Sequence, residues 1–261
     1  RQLRLLEYNY ICAADESSTF TDASELISSL RSVKDALELE AIKEAVVIAQ
    51  EALKSTLPLA RIGMSEKELA NELVVQLLKQ GSEPTLPFSP IVSTGPNGAN
   101  PHAKPSDRKL AAGDLLIIDW GASCRGYVSD LTRTFGIGEV DQQDQDIHAI
   151  VQQANRAGRK AGRPGVSCKN VDSAARDVIE SAGYGEAFSH RTGHGLGMEC
   201  HEDPYIRGDN EQILEEGMTY TVEPGIYLDG KNGVRIEDDV VITATGTESL
   251  SDYPRELIII C

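Results

Sequence analysis

The same order of elements occurs twice along this chain, and this repeat constrains the fold more than any other feature. Each half has two stretches with helical spacing of apolar residues, then a loop with histidine, then two strand-like runs. In the first half these are 35–54, 65–80, 83–105, 115–120 and 127–135. In the second half they are 144–161, 170–182, 190–201, 218–228 and 233–243. The pattern predicts an α+β fold built from two pseudo-symmetric halves, each a helix pair plus antiparallel strands.

Four acidic residues occupy matching places in the strand-like runs. Asp119 ends the apolar run LLIID, and Asp130 lies in VSDLTRT. Glu223 lies in TVEPGIY, where proline and glycine break the strand directly after the acid, and Glu237 lies in GVRIEDD. Asp119 and Glu223 are 104 residues apart, and Asp130 and Glu237 are 107 apart. Two similar halves would therefore bring the four carboxylates face to face. A carboxylate in an apolar setting needs a partner, either hydrogen bonds or a cation.

A histidine completes this set. His194 lies between glycines in TGHGLG, where the backbone can approach closely and the imidazole stays uncovered. Any one of these five residues has an ordinary explanation as a salt-bridge, capping or loop residue. Together they form an oxygen-rich ligand set with one imidazole, which suits Mn²⁺, Co²⁺ or Zn²⁺. Four carboxylates balance two divalent ions, and two-metal sites carry out hydrolysis. The chain has no HExxH, GxSxG or P-loop motif that would favour another chemistry.

Composition and charge restrict the partners and the compartment. The net charge of −16 argues against nucleic acid or an anionic membrane as the main partner. The five cysteines form no CxxC pair, which is typical of a reducing compartment. No apolar run approaches the roughly 20 residues of a membrane span. We therefore expect a cytoplasmic protein. Residues 1–32 show no sustained periodicity, so we interpret them as a leading segment.

The motifs together resemble a known family. The segments LLIIDWGA, VSDLTRTF, HRTGHGLGMECHEDP, TVEPGIY and GVRIEDDV are similar to those of the M24 metallopeptidases, and most similar to the Xaa-Pro aminopeptidases and Xaa-Pro dipeptidases, or prolidases. The resemblance covers roughly residues 33–258. It implies a catalytic domain with the pita-bread fold at 33–261, preceded at 1–32 by the remnant of an N-terminal domain. It also implies proline-containing peptides as substrates, a homodimer, and two divalent metal ions, with Mn²⁺ favoured over Co²⁺ or Zn²⁺.

The resemblance also assigns roles to the five metal-site residues. It implies that Asp119 binds one metal and that His194 and Glu223 bind the other. Asp130 and Glu237 would bridge both metals. Glu223 would in addition be the general base for the attacking water.

Further residues match the substrate side of the family's site. His102, in NPHAKPSD, matches the family's first substrate-side histidine, and His201 matches the histidine that contacts the scissile carbonyl. His190 matches another active-site histidine, and Arg235 matches an arginine that pairs with the metal-site carboxylates. Donors aimed at a developing oxyanion are what this chemistry needs. His148 matches no motif and is expected to be structural.

One position departs from the pattern and bears on substrate length. Some prolidases carry an arginine after the HE.P motif that holds the C-terminal carboxylate of a dipeptide. This chain has Tyr205 there and Arg207 two residues later. We therefore expect an Xaa-Pro aminopeptidase that accepts longer peptides. The alternative is an Xaa-Pro dipeptidase in which Arg207 or another loop arginine serves.

Three other readings share the fold. A methionine aminopeptidase has the same five ligands, but VEPGIY and GVRIEDD favour the proline-specific branch. A creatinase-like enzyme lacks the metal ligands that are intact here. A non-catalytic pita-bread module that binds proteins is the alternative from another class.

Overall fold

The computed structural model describes residues 3–15 and 17–261. The helices of this part of the chain are α1 (Leu5–Ala14), α2 (Ser24–Ser32), α3 (Ala36–Thr56), α4 (Glu66–Lys79), α5 (Gln142–Ala161) and α6 (Cys168–Ser181). The first strands are β1 (Ile91–Thr94), β2 (Leu115–Trp120), β3 (Ser123–Cys124), β4 (Tyr127–Val128) and β5 (Leu131–Ile137). The later strands are β6 (Gly193–Gly195), β7 (Glu202–Ile206), β8 (Thr219–Val222), β9 (Gly225–Leu228), β10 (Asn232–Arg235), β11 (Asp238–Thr243), β12 (Gly246–Ser249) and β13 (Ile258–Ile260).

The helices of both halves start at side-chain caps, which are Asp35 for α3, Ser65 for α4, Asp141 for α5 and Ser167 for α6. The Asp35 carboxylate accepts hydrogen bonds from two backbone N–H groups in the first turn of α3. Ser65 and Glu68 form a capping box at the start of α4. Each cap satisfies N–H groups that a helix leaves without intrahelical partners. The four helices predicted at 35–54, 65–80, 144–161 and 170–182 are confirmed as α3 to α6, with ends shifted by a few residues.

The first half packs α3 and α4 on a four-stranded sheet with the order β1-β2-β5-β13. The strands β1, β2 and β5 run antiparallel, and β13 joins β5 in parallel. The largest fully buried side chain in this half is Trp120, whose indole Nε1 donates to the Ala49 carbonyl 2.8 Å away in α3. That bond lets a polar ring atom be buried without losing a hydrogen bond.

The second half repeats this arrangement. Helices α5 and α6 pack together beside a five-stranded sheet with the order β12-β11-β8-β6-β7. The antiparallel pair β8–β11 occupies the place that β2–β5 has in the first half. The predicted α+β fold with two similar halves is therefore confirmed. The halves meet where Thr132 and Glu237 form a β-bridge and the Asp130 N–H donates to Asp239.

Three of the four predicted strand runs are interrupted, and each interruption coincides with an acid. Asp130 lies between β4 and β5, Glu223 between β8 and β9, and Glu237 between β10 and β11. The Glu223 N–H donates to the Thr192 carbonyl at 2.7 Å, and the Glu237 N–H donates to the Thr132 carbonyl at 3.0 Å. Leaving a regular strand therefore costs these residues no backbone hydrogen bond.

The leading segment contains helices that the sequence analysis did not predict. Helix α1 buries no residue, and α2 buries only Ser32. Helix α2 nevertheless contacts β7: Ser28 donates to Asp203 and Arg31 to Glu202, each at 2.5 Å. Within the described residues, no helix combines the length and hydrophobicity needed to cross a membrane.

Candidate active site

A cavity of about 740 Å³ opens between the two halves. Its walls include every predicted site residue except Tyr205: Asp119, Asp130, His194, Glu223, Glu237, His102, His190, His201, Arg207 and Arg235. The acids come from β2 and from the three strand interruptions, and His194 comes from the middle of β6. The two halves thus contribute to one site, as the mirrored acids predicted.

The centre of the cavity holds a buried group with the geometry of a metal site. Ligand atoms of Asp130, His194 and Glu237 all lie within 4.8 Å of one another, and all three residues are buried. The Nε2 atom of His194 is 3.6 Å from Asp130 Oδ2 and 3.5 Å from Glu223 Oε1. One cation could contact several of these atoms with only small side-chain adjustments.

Asp119 is the fourth carboxylate of the centre and has one unsatisfied oxygen. Its Oδ2 atom accepts a hydrogen bond from Arg235 at 2.6 Å. Its Oδ1 atom is buried and has no hydrogen-bond partner in the structure. Burial raises the pKa of Asp119, and the neighbouring guanidinium partly opposes that effect. A buried, partnerless carboxylate oxygen is costly unless a cation or water meets it.

The other carboxyl groups show the same excess of negative charge. Burial raises the pKa of Glu223 to about 8. Burial, and then repulsion from neighbouring carboxylates, raises the pKa of Asp130 and Glu237 well above the usual range. Ionised carboxylates this close together need positive charge among them. The donor set therefore fits divalent cations.

Arg235 links the metal-site carboxylates to a hydrogen-bond network. It is buried, and besides Asp119 it donates to the Tyr227 hydroxyl at 2.9 Å and to Thr132 Oγ1 at 3.1 Å. The Thr132 hydroxyl in turn donates to Glu237 at 2.6 Å. Partners of this kind hold metal-binding carboxylates in one orientation. Arg235 was predicted from the sequence, whereas Thr132 and Tyr227 were not, because a single hydroxyl-bearing residue in a strand has no sequence signature.

His190 reaches the same network from the other side. Its Nδ1 lies 2.7 Å from the carbonyl oxygen of Arg191, and its Nε2 lies 2.9 Å from the Tyr227 hydroxyl. A carbonyl only accepts, so Nδ1 carries the proton and Nε2 accepts from Tyr227. Burial lowers the pKa of His190 to about 3, which keeps this ring neutral. Both ring nitrogens are engaged within the protein.

His102 and His201 differ from His190 because they are exposed at the cavity wall. The His201 ring lies 4.1 Å from the His194 ring, centroid to centroid. His102 lies in the long loop of the first half, where its backbone N–H donates to the Asn100 side chain at 3.0 Å. Exposed imidazoles beside the buried centre are available to a ligand in the cavity.

Of the two residues that bear on substrate length, Arg207 lines the cavity and Tyr205 does not. Tyr205 is half-buried and stands opposite His194 in the β6–β7 pairing, but it does not line the cavity. The Arg191 guanidinium lies over the Tyr205 ring, 4.9 Å from its centroid. Arg207 lines the cavity, is largely exposed and pairs with Asp209 at 2.9 Å.

Two lining residues were missed although they stand in the same motif. Arg191 and Cys200 lie in HRTGHGLGMECHEDP and line the cavity. The Cys200 thiol donates to Asp130 Oδ2 at 3.0 Å. The histidines of this motif drew attention by residue type, whereas an arginine and a thiol beside them are recognised only once their side chains are seen to face the cavity.

Comparisons with known proteins agree with this geometry. The model of metallopeptidase family M24 matches residues 40–244. The chain is 40% identical over 252 residues to the uncharacterized peptidase YqhT of Bacillus subtilis, covering 95% of this chain and 71% of that protein.

Two solved structures share the fold at nearly full coverage of this chain. An X-Pro aminopeptidase from Thermotoga maritima matches with a TM-score of 0.95 and 40% identity, over 99% of this chain and 72% of that one. An Xaa-Pro dipeptidase from Bacillus anthracis matches with a TM-score of 0.96 and 39% identity, also over 99% and 72%. The pita-bread fold is therefore confirmed. With the family match over most of its length, this chain is a hydrolase and belongs to metallopeptidase family M24.

Proposed function

We propose that this chain uses two divalent metal ions to hydrolyse the peptide bond before proline at the N-terminus of a peptide. The observation that carries the proposal is the convergence of four buried carboxylates and one imidazole in one cavity, with Asp119 Oδ1 left without a partner. Similarity to an X-Pro aminopeptidase and to an Xaa-Pro dipeptidase supports the choice of bond.

The proposed metal ligands are the residues predicted from the sequence. Asp119 would hold one ion, His194 and Glu223 the other, and Asp130 and Glu237 would contact both. When bound, such ions act as Lewis acids and lower the pKa of water. The dense cluster of carboxylates, which burial and mutual repulsion make difficult to ionise together, supports this assignment.

The protein groups around the centre would position the substrate and move its protons. Glu223 is the proposed base, since its carboxylate lies in the buried centre of the cavity, with Oε1 3.5 Å from His194 Nε2. His201 and His102 are exposed in the cavity and can donate to the carbonyl oxygen of the scissile bond. We propose a positioning role for His190, through the Tyr227 and Arg235 hydrogen bonds.

A peptide bond before proline requires a peptidase that does not depend on an N–H group at that bond. The peptide nitrogen of proline carries no hydrogen, so a site that requires an N–H donor there cannot bind it. We propose 33–261 as the catalytic domain, with 1–32 as a leading segment. Manganese as the metal, the homodimer and the cytoplasmic location stay predictions. So does the aminopeptidase preference, which rests on Tyr205.

The test is a small peptide panel with defined metals. The purified chain is stripped of metal, reloaded with Mn²⁺, Co²⁺ or Zn²⁺, and assayed on Ala-Pro, Ala-Pro-Ala, Ala-Ala and Met-Ala. We expect cleavage of the two proline peptides, no comparable cleavage of Ala-Ala, and binding of two ions per chain by elemental analysis.

Two outcomes would replace the proposal. Cleavage of Met-Ala without cleavage of the proline peptides would favour a methionine aminopeptidase. A protein that binds no transition metal and stays inactive after Mn²⁺ or Co²⁺ is added would favour the non-catalytic binding module.

A further inference from the structure

The carboxylate of Glu66 is fully buried, although it does not line the active-site cavity. Glu66 is the first residue of α4, but its side chain bonds to another segment. Oε1 accepts from the Thr94 N–H at 2.7 Å, and Oε2 accepts from the Ser106 N–H at 2.9 Å and from the Ser106 hydroxyl at 2.6 Å. The side-chain amide of Asn97 donates to both oxygens at 3.1 Å. One buried side chain therefore joins the two ends of residues 94–106, which we call the His102 loop.

The far side of this loop contacts the second half of the molecule. Gly98 packs closely on Gly233 of β10, where an added Cβ on Gly233 would lie 2.0 Å from the Gly98 carbonyl oxygen. The Pro101 carbonyl, one residue before His102, accepts from Arg235 Nη1 at 3.4 Å. The loop thus extends from Glu66 to the arginine that pairs with the metal-site carboxylates.

The position of the His102 ring depends on the backbone of this loop. Among residues 3–15 and 17–261, neither ring nitrogen of His102 has a hydrogen-bond partner, whereas both ring nitrogens of His190 have one. The loop holds His102 through the backbone, where its N–H donates to the Asn100 side chain at 3.0 Å. A displacement of about 1 Å in a group that acts in the transition state can lower a rate about 100-fold. Whatever fixes the ends of the loop therefore affects the reach of this imidazole.

We propose that Glu66 is a positioning residue for the reaction: its carboxylate closes the His102 loop and thereby holds the His102 ring in the cavity. The inference rests on the proposed function, in which His102 donates to the carbonyl oxygen of the scissile bond. Both oxygens of Glu66 must be acceptors, because one receives the Thr94 N–H and the other receives Ser106. A glutamine in the same place offers one acceptor and presents N–H groups to the donors at the other end.

The experiment is a double-mutant cycle between Glu66 and His102. Wild type, Glu66→Gln, His102→Ala and the double variant are loaded with metal and assayed on Ala-Pro at a temperature where all four are folded. We expect kcat of Glu66→Gln to fall about 10-fold, while KM changes less than about threefold and the metal content equals that of wild type. In the His102→Ala background the same change should lower kcat less than about twofold, because the group that Glu66 positions is already absent.

Glu68→Gln is the matched control. Glu68 lies two residues further along α4, and its carboxylate bonds to Ser65 and Lys109 outside the His102 loop. This variant should keep kcat within about twofold of wild type. Hydrogen exchange provides a readout apart from activity. The amide hydrogens of Thr94 and Ser106 should exchange about 10-fold faster in Glu66→Gln and at the wild-type rate in Glu68→Gln.

Three results would overturn the inference. An equal fall in kcat for Glu66→Gln in the wild-type and His102→Ala backgrounds would indicate that Glu66 acts on the whole centre or on the fold. Faster exchange of the loop amides with unchanged kcat would show that the loop can loosen without effect on the reaction. Unchanged exchange in Glu66→Gln would show that the carboxylate does not hold the loop.

Failure of the proposed function looks different. In that case wild type cleaves no proline peptide under any metal, and if it cleaves Met-Ala instead, the same cycle is run on that peptide. A chain that cleaves neither kind of peptide overturns both, because there is then no reaction for Glu66 to support. Cleavage of Ala-Pro without coupling between Glu66 and His102 leaves the proposed function standing and removes only the role of Glu66.

Discussion

Glu237 and Asp238 are neighbours in sequence, and both are buried, yet their surroundings are opposite. Glu237 faces Asp130, Glu223 and Asp119, and after burial their charges raise its pKa well above the usual range. Asp238 faces arginines. Burial alone would raise its pKa, but Arg133 and Arg255 hold it below the usual range.

The contacts of Asp238 explain the difference. Arg133 donates to its Oδ1 at 2.8 Å, Arg255 to its Oδ2 at 2.7 Å, and the Ser251 hydroxyl to its Oδ1 at 2.6 Å. All of its charge is neutralised within the fold. Glu237 receives a hydrogen bond from Thr132 but repulsion from three other acids. The comparison teaches that burial of an acid does not identify its role. The balance of the charges around it does, since Asp238 faces arginines, whereas Glu237 faces three acids whose effect Arg235 opposes only in part.

The largest expected effect comes from removing the charge of Glu237. Glu237→Gln keeps the shape of the side chain and can still accept from Thr132. We expect kcat/KM on Ala-Pro to fall by about 10³-fold or more, because a shared metal ligand is lost. Elemental analysis should show fewer than two ions per chain.

The stability of the metal-free variant provides the control for Glu237→Gln. Without metal, removing one of four repelling carboxylates should leave the free energy of unfolding equal to wild type or higher. Near-normal turnover with two bound ions would contradict the role of Glu237 as a ligand.

The next largest effect should come from replacing Asp238, and it should appear in the free energy of unfolding and not in catalysis. Asp238→Asn leaves the guanidinium groups of Arg133 and Arg255, and that of Arg159 at 3.5 Å, around an uncharged amide. Breaking a buried ion pair costs about 3–5 kcal/mol. Urea denaturation should report a loss of this size in the free energy of unfolding. At temperatures where the variant is folded, we expect it to bind two ions as wild type does. If Asp238→Asn lost metal binding while its stability stayed unchanged, Asp238 would be a metal ligand and its assigned role in stabilising the fold would be wrong.

The same residues show which parts of the fold and of the site could be predicted from the sequence. The motif GVRIEDDV contains three consecutive acids, and the matching offset between the two halves and the resemblance to a family both selected Glu237. The directions of the three side chains depend on a break between β10 and β11, which the sequence does not show. Helices α3 to α6 were predicted because the helical spacing of apolar residues is a local signal. Strands β1, β6, β7, β12 and β13 were not, since they have three to five residues and form only by pairing with distant segments.

The smallest expected effect is a loss of folding stability at acid pH that comes from His148 and not from the buried acids. His148 is buried on α5, and burial, with the charge of Arg133, lowers its pKa to about 4. An unfolded histidine has a pKa of about 6.5. The unfolded chain therefore binds more protons between these values, so stability is full above pH 6.5 and falls as the pH falls toward 4.

From pH 7 to pH 5 this histidine should cost wild type about 2 kcal/mol of unfolding free energy. His148→Gln cannot titrate there, so its stability should fall by that much less over the same range, as measured by urea denaturation at each pH. Asp238 cannot produce this loss, because its lowered pKa keeps it ionised at pH 5. Parallel pH profiles for wild type and variant would contradict this prediction, because they would show that His148 has a similar pKa in the folded and the unfolded chain. The carboxylates around Glu237 cannot cause such a loss, because their pKa values are raised in the fold and protonation therefore favours the folded chain.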